Sequence, residues 1–161
     1  MPKNHLLLKI KTSKDSLETE EAAVQLFSTL PKLKNSLFNQ LKGDHESLSF
    51  EILVKEQEIH FLVSVPERLL EYFKGAIQAS YPEAVIEKVN VDPVDHFLLK
   101  DRQLALASLK LKNHDYLPLK TYQDFQDIDP LSTLMSTLSK NEGDDTILIQ
   151  LLLANNFGLW P

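Results

Sequence analysis

The sequence predicts an α+β protein, and three observations carry that reading. Apolar and polar residues alternate in short runs at 6–11, 50–54, 59–65 and 84–89, the period of strands with one face buried. Between them, at 16–30 and 66–81, apolar residues return every three or four positions, the period of amphipathic helices. Two of the runs are separated only by a short charged step, which fits a hairpin and leaves no room for a crossover. With 161 residues, 43% hydrophobic and 25% charged, the chain has the size and composition of one domain or two very small ones.

In the first strand, Leu6, Leu8 and Ile10 alternate with Leu7, Lys9 and Lys11. The next helix sets Ala23, Leu26, Phe27 and Leu30 on one stripe, with acidic residues in its first turn where the helix dipole favours them. Pro31 ends or kinks it, and Leu33, Leu37, Phe38 and Leu41 resume a helical period up to Gly43. In the hairpin, Phe50, Ile52 and Val54 form one strand face, matched by Ile59, Phe61, Val63 and Val65 on the partner strand. Phe61 is therefore expected to face the helices as core. The turn has no glycine, which predicts a four-residue loop built on a type I turn. Pro66 suits the first turn of a second helix, whose stripe is Leu69, Leu70, Phe73, Ala76 and Ile77. The run at 84–89 is the fourth strand. Strand, helix, strand, strand, helix, strand with right-handed crossovers predicts a ferredoxin-like βαββαβ sandwich over 1–91, with two helices on one sheet face.

A proline-containing linker at 92–101 leads to a second, incomplete βαβ half at 102–161, expected to pack on the first. Residues 102–113 predict a strand whose apolar parity shifts between Leu106 and Leu109, as a bulge near Ala107 and Ser108 produces. The next helix has Asp129 as N-cap, Pro130 at its first position, and Leu131, Leu134, Met135 and Leu138 on one face. The run at 146–154, interrupted only by Gln150, is the last strand and is too short to span a bilayer as a helix.

Chemistry is hard to find. The absence of cysteine excludes disulfides, thiolate catalysis and cysteine-ligated metals, and it fits a cytoplasmic protein. The glycines Gly43, Gly75, Gly143 and Gly158 form neither a phosphate-binding loop nor a dinucleotide fingerprint. The histidines His5, His45, His60, His96 and His114 never fall at zinc-binding spacing, and Asp44, His45 and Glu46 are too close in sequence to converge on one ion. No serine sits in a nucleophile elbow. The expectation is a protein without catalytic residues, metal ligands or cofactor. A net charge of −6 argues against direct nucleic-acid binding. A small lysine ladder from Lys9, Lys11, Lys110 and Lys112 lacks interleaved aromatics for stacking bases.

What remains is surface. The sheet face away from the helices should carry Lys9, Lys11, Glu51, His60, Ser64 and Glu87, with an apolar band of Leu7, Leu53, Leu62 and Val85. Such a band is covered either by the second half of the chain or by another subunit or domain. An incomplete second half also leaves the last strand, around Ile149, without a hairpin neighbour. These five residues are the candidate interface, and the last strand's open edge invites self-association.

Two long stretches, "LSFEILVKEQEIHFLVSVPERLLEYFKGAIQASYPEAVIEKV" and "YLPLKTYQDFQDIDPLSTLMSTLSKNEGDDTILIQLLLANNFGLW", resemble in order and spacing the N-terminal accessory region of conjugative-transfer, type IV secretion coupling-type ATPases of the FtsK/HerA superfamily. The resemblance runs from Leu6 to Trp160. It implies an accessory and assembly role beside a DNA-pumping motor ATPase, at the inner face of the membrane. In that family transmembrane helices precede this region and the ATPase follows it, so neither membrane anchorage nor ATP hydrolysis is expected of these residues. Two functions stand side by side: a non-catalytic assembly module of a DNA-transfer motor, and a free-standing ferredoxin-like domain that is regulatory or binds a small ligand.

Overall fold

The structure is a computed structural model, described here for residues 4–12, 20–30, 47–90, 104–112, 120–125, 131–141 and 145–154. Its elements are β1 (His5–Lys11), α1 (Glu20–Thr29), β2 (Ser47–Lys55), β3 (Glu58–Pro66), α2 (Leu70–Ser80), β4 (Val85–Val89), α3 (Ser132–Leu138) and β5 (Ile147–Ala154). Short 3-10 turns at Glu67–Leu69 and Tyr122–Asp124 complete the described set. The architecture is α+β, with a five-stranded antiparallel sheet in the order β4-β1-β3-β2-β5. The candidate linker at 92–101, the helical period at 33–41 and the expected caps Asp129 and Pro130 lie outside the described residues. None of the described helices is long and apolar enough to cross a membrane.

Both long helices pack on one sheet face. Leu26 of α1 and Phe73 and Ile77 of α2 close over Leu8, Leu48, Val63 and Val65, and Leu69 enters the same cluster from the 3-10 turn. The alternate residues of β1, β2 and β3 supply this core because strand side chains alternate between faces. Phe50 joins the helices to the sheet through its ring, 5.1 Å from Phe27 and 6.2 Å from Phe73. The Tyr72 hydroxyl donates to the Thr29 carbonyl, tying α2 to the end of α1. Pro66 ends β3 instead of opening the helix, which begins only after the 3-10 turn.

The hairpin differs from its expectation. β2 and β3 are joined by a two-residue turn, with Lys55 paired to Glu58. Glu56 and Gln57 both take positive φ, 53° and 63°, as type I′ turns require at both central positions. The twist of this turn matches that of the strands, and the long ladder of the hairpin holds two non-glycine residues in a left-handed conformation that costs roughly 1 kcal/mol or more each. Phe61 differs as well. It takes the helix-facing phase, paired with Ile10 and Ile52, yet it is 47% exposed. The helices seat over Val63 and Val65, and Phe61 lies nearer the turn, outside that cluster.

The largest difference is at 104–112. No strand or helix forms there, and Leu104, Leu106, Leu109 and Leu111 are 62%, 90%, 95% and 53% exposed. A strand exists only through a ladder, and the edge of β2 is taken by β5, which pairs with it from Ile147 to Ala154. β5 thus extends the same sheet. The seven-residue α3 buries Leu138 and begins after Leu131, which makes no side-chain cap and is 52% exposed.

Two stability measurements test these placements. Phe73→Ala, at a fully buried site, is expected to cost about 3–5 kcal/mol, and Phe61→Ala clearly less. Replacing the turn with Glu56→Asn and Gln57→Gly relieves the left-handed strain and should raise stability by about 1 kcal/mol, read as a higher denaturant midpoint at unchanged slope.

Candidate interaction surface

The sheet face away from α1 and α2 is built in rows that cross the strands. One row runs Val89, Leu7, Ser64, Ser49, Leu152; the next runs Glu87, Lys9, Leu62, Glu51, Gln150. A third pairs Val85 with Lys11, and His60 with Leu53 and Leu148. Leu7, Leu53 and Leu62 form one cluster and are 1%, 7% and 3% exposed in the single chain. Val89 and Leu148 pack against it. Val85 shares this face but stands at the far end of β4 beside Lys11, 54% exposed and outside the cluster. Ile149 points to the opposite face, paired with Ile52 and half-buried.

Sequence reasoning missed Val89 and Leu148. Val89 was readable, since it lies two residues beyond Glu87 on the same face. Leu148 was not, because nothing local says that β5 pairs with β2.

Polar groups flank the cluster on one side. The buried Glu51 carboxylate accepts from Ser49 Oγ at 2.8 Å and from Gln150 Nε2 at 3.0 Å. Ser47, Ser49 and Ser64 are buried near it. His5 Nε2 donates to the Ser47 carbonyl at 3.0 Å, which leaves Nδ1 a buried acceptor without a protein partner. The Glu51–Gln150 and His5–Ser47 contacts run between strands, and the Ser49–Glu51 contact lies within β2. None pairs a nucleophile with a base, and among the described residues no three His, Asp or Glu groups converge to hold a metal.

At the opposite corner the face is charged. Lys11 Nζ lies 2.7 Å from Glu87 Oε1, and this bond holds the Glu87 carboxyl below the usual carboxylate range. His60 Nε2 is 3.6 Å from Glu58, yet burial and then the charge of Lys9 push its imidazole below the ordinary value of 6.5. Glu58 opposes that shift, and Lys11 and Lys55 add to it.

Apolar surface is left bare elsewhere. β5 is the last strand of the sheet, its outer edge has no strand partner among the described residues, and Leu151 and Leu152 are 56% and 65% exposed. With the four leucines of 104–112, the described residues hold both an outer strand edge without a strand partner and an exposed apolar segment that forms no strand.

A family described as a domain of unknown function, DUF8128, matches residues 2–155. The chain belongs to that family. No curated protein and no solved structure matches it.

The charged corner makes a pH prediction. The unfolded chain takes up the His60 proton more readily than the folded one, so this group's contribution to stability is full above pH 6.5 and is lost as pH falls below it. By NMR titration the His60 midpoint should lie below 6.5, rise in Lys9→Ala, and fall further in Glu58→Gln.

Proposed function

We propose that this protein is a non-catalytic accessory and assembly module that acts through protein–protein contacts, of the kind that stands beside the motor ATPase in conjugation or type IV secretion-like DNA transfer. The observation that carries the contact part is the bare apolar segment at 104–112, whose four leucines are all more than half exposed. Four leucines in one short run, two of them 90% or more exposed, are the densest bare apolar stretch among the described residues, and such a patch fits a partner's contact surface. The motor part rests on the resemblance of the two long sequence blocks. The ferredoxin-like reading is supported by the order β4-β1-β3-β2 within the sheet and by α1 and α2 on one face, with β5 added at the β2 edge. A cytoplasmic site at the membrane's inner face follows from the same resemblance.

Mixing the purified chain with the ATPase domain of a coupling-type motor from the same genome tests the proposal. Co-sedimentation with the assembled motor, weakened by lysine substitutions at Leu106 and Leu109, is the expected result. No binding at concentrations well above those of either component in the cell sinks the motor reading. Saturable binding of a small metabolite instead would favour a regulatory domain.

A further inference from the structure

We infer that two copies of this chain join by strand exchange: the segment 104–112 of one copy lies along the open edge of β5 in the other. The inference deepens the assembly reading above, on which it rests for its biological setting, and names a second copy as a partner.

The two edges of the sheet are treated differently. β4 carries Glu87 and Lys88 within its five residues, and charge on an edge strand discourages further pairing. β5 carries no charged residue from Ile147 to Ala154 and contains no proline. It is eight residues long and apolar apart from Gln150, the form of edge that recruits another strand.

The free segment fits that edge in length, pattern and charge. In an antiparallel pairing that sets Leu106 opposite Leu151, Leu104 falls opposite Leu153 and Leu109 opposite Leu148. Leu104 and Leu106 then extend the helix-side face, beside the half-exposed Leu151. Leu109 and Leu111 extend the other face beyond Leu148, the β5 member of the Leu7, Leu53 and Leu62 cluster. The parity shift between Leu106 and Leu109 thereby acquires a use without any bulge. The same register puts Lys112 opposite the exposed Asp145 at the entry to β5. Segment 104–112 has lysines and no acid, and the described approach to β5 has an acid and no lysine between Asp145 and Ala154. Each copy thus holds one donor segment and one acceptor edge, so two copies satisfy each other in a closed, two-fold arrangement.

Sedimentation across a concentration series tests this on the full chain. The parent should dimerise, and Leu106→Lys, at a side chain 90% exposed in the single chain, should weaken the dimer by about tenfold or more. Lys112→Asp should weaken it as well, and adding Asp145→Lys should restore it. Because the chain has no cysteine, Leu106→Cys combined with Leu151→Cys gives a clean crosslink, expected as a covalent dimer on a denaturing gel. A parent that stays monomeric at several hundred micromolar overturns the inference, and so does a dimer indifferent to Leu106→Lys. An oxidised double variant that runs as a crosslinked monomer shows the segment closing on its own chain, which also overturns it. A monomer that binds the motor domain would overturn only the strand exchange. A dimer that ignores the motor would overturn only the motor reading.

Discussion

Every face in this protein goes with the packed register of the hairpin that closes at Glu56 and Gln57. Once Lys55 stands opposite Glu58, the remaining hairpin pairs follow, Leu53 with His60 and Phe50 with Val63. β1 and β5 dock on the outer sides of that hairpin, so its register passes to four of the five strands, and β4 takes its own from β1. A slip of β3 by one residue would turn Ser64 toward the helices and expel Val63 and Val65. Burying a single side chain of that kind contributes about 1.5–3 kcal/mol, and the left-handed turn costs roughly 1–2 kcal/mol per residue. Two such residues, both 2% exposed or less, outweigh the two strained ones. Packing selects the turn, and not the reverse.

A second constraint places β5. The sequence ILIQLLLA fits β2 almost as well after a shift of two residues, because leucine and isoleucine pack interchangeably at a half-buried edge. Gln150 breaks that degeneracy. A buried carboxylate requires donors, and leaving such a group unsatisfied costs about 1–3 kcal/mol or more. Glu51 is 7% exposed, directly opposite Gln150, and takes a hydrogen bond from it at 3.0 Å. The one polar residue of β5 thus meets the one acid of β2, and the pair sets the register of an otherwise featureless strand.

Legibility from sequence followed the range of the interaction. The strands at β1 to β5 and the stripes of α1 and α2 were readable because alternation and helical period are local consequences of burial. The leucines Leu7, Leu53 and Leu62 were readable as one band for the same reason, once the hairpin parity was known. The type I′ turn was not, since its usual glycine or asparagine is absent and only the completed ladder compels positive φ at Glu56 and Gln57. Phe61 shows a related limit: its phase was readable, but how far the helix layer reaches along β3 is not written in β3. Leu148 entered the band only through a pairing ninety-odd positions away in sequence, which no local period encodes.

The segment 104–112 is the most telling disagreement. Its sequence alternates like a strand, yet strand structure is a property of a pair and not of a segment. Within one chain the edge of β2 is occupied by β5, and of the two outer strands β4 carries Glu87 and Lys88 while β5 carries no charge. A sequence pattern that looks misread in the monomer is then a statement about what the monomer lacks. Lys110 and Lys112 alternate with Leu109 and Leu111, so the charges leave the leucine face of that stretch intact. In the strand exchange proposed above, the outer edge of β5, which has no strand partner among the described residues, and the run at 104–112 are two halves of one ladder.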